Sequence, residues 1–328
     1  MSRWALALLL ALVWPAAATT LSETAFRQLE RAQALLAEGD VRAANELLEA
    51  RFARAEHDSE RALIRQVQGF ALAAVPDNRA AIQRLQQALD YGQLPEPAAL
   101  QSRLALGQLL YVEGQMPRAI EVLTAYLTQA GDLAVVEAQV MLASAHVAAQ
   151  QYRQARPPLA AAMARRETPP LGWLELQLAV DYGLEAWSAA AETLLTLVSR
   201  APESRAYWQQ LSGVYHELGK QPQALAVLAL AHRHGLIAEP RALRNLAQLY
   251  RALGVPYKAG ELLTAALDAR QIEADAPLLV PQLTDALRRA LDGVDVAYYL
   301  LHSMDGEGDF VDRERSMAQT FAALATGL

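Results

Sequence analysis

Residues 208–231 read WQQLSGVYHELGKQPQALAVLALA. Trp208, Leu211, Ser212 and Tyr215 fall three or four apart, so they share one face of a first helix. Gly219 then supplies a residue free to adopt the left-handed backbone that ends a helix. Ala224, Leu228 and Ala231 give a second helix its own apolar face. The signature is a small residue, an alanine twelve positions on, and a leucine four beyond that.

The signature recurs along the chain. Gly69, Ala81 and Leu85 carry it, as do Gly107, Ala119 and Leu123, and Ala143, Ala155 and Leu159. Ala247, Ala259 and Leu263 follow the same spacing, and Ala32, Ala44 and Leu48 fit at the start. The marker alanines 44, 81, 119, 155, 190, 224 and 259 are separated by 34 to 38 residues. A period of that size is the mark of stacked supersecondary units. Each unit reads as two antiparallel helices whose backbones approach closely at the small residues. Gly39, Gly114, Gly219 and Gly254 mark the turns, and Pro95, Pro169, Pro202 and Pro240 break the chain between units. Seven units are expected between about residues 24 and 271. The unit of Ala190 slips by one residue if Trp173 is its leading aromatic.

The residues from Trp208 to Ala231 resemble the tetratricopeptide consensus, and those from Leu243 to Ala266 are similar to it without the tryptophan. The resemblance implies an all-α, right-handed solenoid of antiparallel helix pairs, in residues 19–304 with degenerate capping helices at the end. Residues 305–328 read as a polar turn and a C-terminal helix. A narrower resemblance rests on Tyr207 to Leu211, Leu246 to Tyr250 and Gly254 to Ala259. These look like the tetratricopeptide proteins associated with TonB–ExbB–ExbD energy-transduction systems. That likeness implies a partner among TonB, ExbB and ExbD-type proteins of the cell envelope and a role in TonB-dependent uptake.

Residues 1–18, MSRWALALLLALVWPAAA, read as a cleavable export signal. Arg3 is followed by an apolar run from Trp4 to Trp14, Pro15, and the small-x-small pattern of Ala16 and Ala18. The run is shorter than the roughly 20 residues a membrane-spanning helix needs. The mature chain is expected to begin near Thr19, to contain no span, and to be periplasmic.

Composition narrows the chemistry. The chain has no cysteine, which excludes disulfides, thiolate catalysis and cysteine-ligated metals. The net charge of −7 and the lack of a basic cluster argue against nucleic acid. His232 and His234, two apart on a helix, point to different faces and read as solvated. Asp305 to Asp309 begins like a calcium loop, but Phe310 and Ser316 stand where glycine and glutamate are needed. No catalytic residue, cofactor site or metal site is expected.

In such an array, positions 2, 5, 9 and 12 of each first helix form one stripe toward the inner groove. The second unit contributes Leu63, Gln66 and Phe70; the third and fourth contribute Tyr111, Val140 and Val147. The sixth gives Ala206, Gln209, Gly213 and His216, and the seventh gives Arg241, Arg244, Gln248 and Arg251, with Asn245 alongside. A groove apolar toward its N-terminal end and basic toward its C-terminal end would fit a peptide with apolar anchors and an acidic end. In the competing reading, the early apolar stripe packs against the next helix and the arginines are solvated. Three functions are expected in order: a non-catalytic envelope scaffold, an assembly factor for outer-membrane, polysaccharide-export or cell-wall machinery, and an enzyme hidden in residues 281–328.

Overall fold

The computed structural model describes residues 22–75 and 77–271. The export signal, the segment after Pro281 and the turn at 305–309 lie outside those residues. Fourteen α-helices are present among the described residues, with no strand. They follow one another as α1 Glu23–Ala37, α2 Val41–Phe52, α3 Asp58–Ala74 and α4 Asn78–Asp90. Next come α5 Glu96–Val112, α6 Met116–Ala130, α7 Val136–Ala148 and α8 Tyr152–Ala164. The remainder are α9 Leu171–Gly183, α10 Trp187–Arg200, α11 Arg205–Glu217, α12 Gln221–Arg233, α13 Pro240–Ala252 and α14 Pro256–Asp268. Odd-numbered helices are the first helices of the seven expected pairs. The longest intervals, 37 and 38 residues, are those that span α3 and α5, which have 17 residues against 13 in α11 and α13.

The repeat signature has a direct steric meaning. The marker leucines Leu48, Leu85, Leu123, Leu159, Leu194 and Leu263 are at most 1% exposed. Burying each is worth roughly 1.5–3 kcal/mol. The small residue lies against that leucine. A Cβ built on Gly69 would sit 2.6 Å from Leu85 Cγ, and one on Gly107 would sit 2.6 Å from Leu123 Cδ2. In the sixth pair Ser212 fills the same place and its hydroxyl donates to the Ala224 carbonyl at 3.1 Å.

Helix ends follow the expected chemistry. Ser22, Asp40 and Asp77 cap α1, α2 and α4, each accepting from a backbone N–H three residues on. Gly39, Gly114, Gly219 and Gly254 all have positive φ, between 68° and 85°. The fourth and fifth pairs put Gln150 and Glu185 in that left-handed region instead, with φ of 58° and 53°. Pro157 and Pro158 lie inside α8, removing the N–H donors that would reach the carbonyls of Arg153 and Gln154.

The chain divides into two compact units, Met1–Ala186 and Trp187–Leu328. The first holds α1 to α9 and the second α10 to α14. In the first unit every helix packs on the next, and the first helices also touch in series: α1 on α3, α3 on α5, α5 on α7, α7 on α9. No second helices of this unit make such skip contacts to that extent. In the second unit consecutive helices pack in the same way, but α11 and α13 do not pack on each other to a comparable extent.

The closed inner side of the first unit corrects the sequence reading of its stripe. Leu63, Gln66 and Phe70 are buried, not groove-lining. Gln66 Nε2 donates to the Ala98 carbonyl and to Ser102 Oγ of α5, both at 2.9 Å. Phe70 joins Leu106 and Leu110 of α5 in one apolar cluster. Polar groups are buried on α3 too: Glu60 pairs with Arg51, while Arg65 binds Glu49 at 2.6 Å and lies 3.5 Å over the Phe52 ring.

Candidate interaction cleft

Where α11 and α13 stand apart, α12 is left as the floor of an open cleft of about 1090 Å³. The floor is small and apolar: Ala224 and Leu228 from α12, with Gly213, Ala242, Leu249 and Leu253 beside them. The rim is polar. Gln209, His216 and Glu217 come from α11, and Arg241, Asn245 and Gln248 from α13. Local sequence explains this arrangement. Leu211, Ser212 and Val214 turn into the hairpin and are buried, so positions 209, 213 and 216 on the remaining arc face out. In α13, Leu243, Leu246 and Ala247 are buried, which turns 241, 245 and 248 outward.

One end of the cleft is strapped. Arg205, at the start of α11, makes an ion pair with Glu239, the N-cap residue of α13. His216 Nδ1 and Gln221 Nε2 are 2.9 Å apart. The amides of Gln209, Asn245 and Gln248 make no hydrogen bond to the described residues.

Of the ten residues that the sequence marked, five are brought together here: Gln209, His216, Arg241, Asn245 and Gln248. Arg244 and Arg251 do not line the cleft. Arg244 Nε donates back to the Pro240 carbonyl of its own helix at 3.2 Å, and Arg251 is half-buried. The lining positions of α13 are 241, 242, 245, 248, 249 and 252, which include two of the expected 241, 244, 248 and 251. The basic stripe of three arginines is corrected to a mixed rim, because Glu217 and Glu239 also line the cleft. Tyr111, Val140 and Val147 belong to the first unit and are half-buried. Tyr111 packs on the cluster of Phe70 and Leu106, and Val147 on that of Leu159 and Val180. Tyr111 and Val147 thus serve the packing of helices there.

Arg205, Glu217 and Glu239 were not marked in the sequence. Arg205 and Glu217 stand one position outside the two ends of the expected stripe, Ala206 and His216; Glu239 precedes the helix, where no stripe rule reaches. His232 and His234, read as solvated, are engaged: His232 Nδ1 lies 3.0 Å from the Ile237 carbonyl, and the His234 ring is 6.2 Å from that of Trp208. Among the described residues no helix is long and apolar enough to cross a membrane.

No family model matches the sequence, and no curated protein matches it. Solved structures do. One is a chain in the structure of Naa15/Naa10 bound to HypK-THB, with a TM-score of 0.57 and 14% identity over 92% of this chain and 42% of that one. This chain thus spans about two fifths of that protein. Another is a tetratricopeptide repeat protein from Parabacteroides merdae, with a TM-score of 0.45 and 12% identity over 81% of this chain and 100% of that one. YrrB, a tetratricopeptide protein with an unusual peptide-binding site, has a TM-score of 0.41 and 19% identity over 55% of this chain and 89% of that one. Hairpins of the stated spacing, locked by a small residue against a leucine, make the fold an all-α helical repeat of tetratricopeptide type.

Proposed function

We propose that the protein is a non-catalytic interaction scaffold of the cell envelope, exported to the periplasm, which holds a partner polypeptide in the cleft between α11 and α13. The observation that carries this reading is the cleft itself. Two first helices that could close on each other, as their counterparts in the first unit do, instead leave about 1090 Å³ open above a finished apolar floor. A concave site with an apolar base and a few polar groups around it is the usual form of a binding site. The export signal supports the location. The likeness of Tyr207–Leu211, Leu246–Tyr250 and Gly254–Ala259 to tetratricopeptide proteins of TonB–ExbB–ExbD systems supports those proteins as the partners and energy-dependent uptake as the process. The mixed rim removes the reason to require an acidic ligand.

The test is a photo-crosslinking amino acid placed at Gln248, on the cleft rim, and at Ala226, on the exposed side of α12, in cells of the native host. A partner adduct is expected from Gln248 and not from Ala226, with the protein in the periplasmic fraction. Equal labelling from the two sites would remove the cleft as the docking site. An adduct with an outer-membrane assembly or polysaccharide-export protein would keep the scaffold and replace the TonB-type partner.

A further inference from the structure

In the first unit a groove of about 530 Å³ lies between α4 and α6, the second helices of two successive pairs. Ile82, 5% exposed, is the one apolar residue in its lining. The rest is polar. Arg79 comes from the first turn of α4 and Arg118 from the first turn of α6. With them stand Gln83, Gln86 and Gln87 of α4 and Gln115, the N-cap residue of α6. No carboxylate lines the groove, although the chain has 36 acidic residues against 29 basic ones.

The bonds already made inside the groove leave it rich in donors. Arg118 Nη1 donates to Gln115 Oε1 at 2.8 Å, and Arg84 Nη1 donates to Gln87 Oε1 at 3.2 Å. Those bonds use the acceptors of two amides and leave their Nε2 groups to donate elsewhere. Gln86 Nε2 is taken by Asp90 at 2.9 Å, which leaves that amide an acceptor. The Gln83 amide and the Arg79 guanidinium make no side-chain bond within the described residues, and neither Arg79 nor Arg118 has an ion pair there. The acidic groups beside the groove are engaged: Asp77 accepts from the Ala80 N–H at 3.1 Å and Glu113 from Asn78 Nδ2 at 2.7 Å. Two guanidinium groups and several amide donors, with no carboxylate among them, suit a ligand that is anionic and rich in acceptors.

The remaining features narrow the class. Gln83 and Gln86 also offer acceptors, so the ligand carries donors too, and hydroxyl groups are both at once. From Arg79 to Gln87 the row runs about 12 Å along the helix, at about 1.5 Å per residue, which is too long for a single small ion. Gln87 is shared with a neighbouring cavity of about 290 Å³ that Phe52 and Tyr91 also line. A sugar ring has an apolar C–H face that suits an aromatic ring and a hydroxyl edge that suits amides. Ile82 alone gives little hold to the apolar anchors of a peptide or to a lipid chain.

We propose that the groove between α4 and α6 binds an acidic glycan, with Arg79 and Arg118 on its carboxylates and the glutamine amides on its hydroxyls. The site shares no residue with the cleft of the second unit, and it stands whether or not that cleft holds a partner.

The probes are hexamers of galacturonate, mannuronate and glucuronate, titrated by calorimetry into the protein expressed from its full sequence. At least one should bind more tightly than about 1 mM, and its affinity should fall at high salt. The methyl ester of that hexamer keeps the hydroxyls and loses the charge; hexaglutamate keeps the charge and lacks the hydroxyls. Each should bind about tenfold more weakly or worse. Arg79→Gln combined with Arg118→Gln should weaken binding by about tenfold or more. Both residues are exposed, so the melting temperature should stay parental and lost binding would not be lost folding. Arg241→Gln, on the rim of the cleft, should keep parental affinity. Parental affinity in the Arg79 and Arg118 double variant would overturn the inference, as would an equal loss in Arg241→Gln. Hexaglutamate binding as tightly as the best uronate would make the groove a site for acidic peptides and overturn it too. So would failure of all three uronates to bind.

Discussion

The two units use the same hairpin and finish it differently. In the first unit the inner side is spent on stacking: Gln66 reaches from α3 to α5, Phe70 sits among Leu106 and Leu110, and Glu60, Arg65 and Gln68 are buried with it. In the second unit the corresponding side carries glycine, amides and charges, and α11 and α13 are left apart. An interior of interlocked large side chains holds its neighbours; a face of small and solvated residues leaves room for a guest. The comparison shows that a groove is not a property of the repeat. It depends on which side chains occupy the outward arc of two successive first helices.

The largest expected effect tests the closed side. Glu60 is 4% exposed and pairs with Arg51, itself mostly buried. Glu60→Ala leaves that guanidinium uncompensated and should destabilise the first unit by about 3–5 kcal/mol. Hydrogen exchange should show lost protection across α2 to α4 with α11 to α14 unchanged. Loss spread evenly over all helices would mean that the units do not unfold separately.

A sharper contrast comes from one substitution made in both units. Gly69→Ala forces a Cβ against Leu85 and should lower stability by about 1–3 kcal/mol through overpacking. Gly213→Ala meets open space and should raise it by about 0.5–1 kcal/mol. Thermal unfolding of the two variants should therefore move in opposite directions. Loss of stability in Gly213→Ala would show that α11 is crowded there and that the cleft is not open.

A smaller gain is expected at the turn of the fourth pair. Gln150 has a φ of 58°, a conformation that an L side chain resists. Gln150→Gly should stabilise by a few tenths to about 1 kcal/mol, because relief of strain outweighs the added freedom of the unfolded chain. A lower melting temperature would show that the glutamine side chain contributes packing instead.

The smallest effect concerns acid. Burial acts to raise the Glu49 carboxyl, but the hydrogen bond and charge of Arg65, with Gln68 and Arg84, outweigh it and hold the group below its ordinary value of 4.5. The folded chain therefore favours the ionised form. Its contribution is complete above the ordinary value and is lost as the pH falls through the lowered one. The Glu49 side chain is 43% exposed, so solvent screening keeps the effect small. Glu49→Gln should lose some stability at neutral pH and show a flatter decline below pH 4.5. A decline as steep as the parent's would assign the acid sensitivity to other carboxylates.

Sequence by itself determined the repeat. A small residue facing a leucine sixteen positions on is a contact within one hairpin, so Gly69 with Leu85 and Gly107 with Leu123 could be read without knowing where other hairpins lie. The turns at Gly39, Gly114, Gly219 and Gly254 were equally local, since only backbone conformation is at stake. Gln150 and Glu185 were not legible as turn residues, because the surrounding packing imposes a left-handed backbone that their own side chains do not favour. The stripe was legible to within one position, which suffices for Gln209, His216 and Gln248 and fails for Arg244 and Arg251. A helix's rotation about its axis is fixed by its neighbours, and a shift of one residue turns it by about 100°. Whether two first helices close or stay apart was decided only by tertiary structure. That outcome depends on side chains about 35 residues distant meeting across a gap, as Gln66 meets Ser102 and as Gly213 meets nothing.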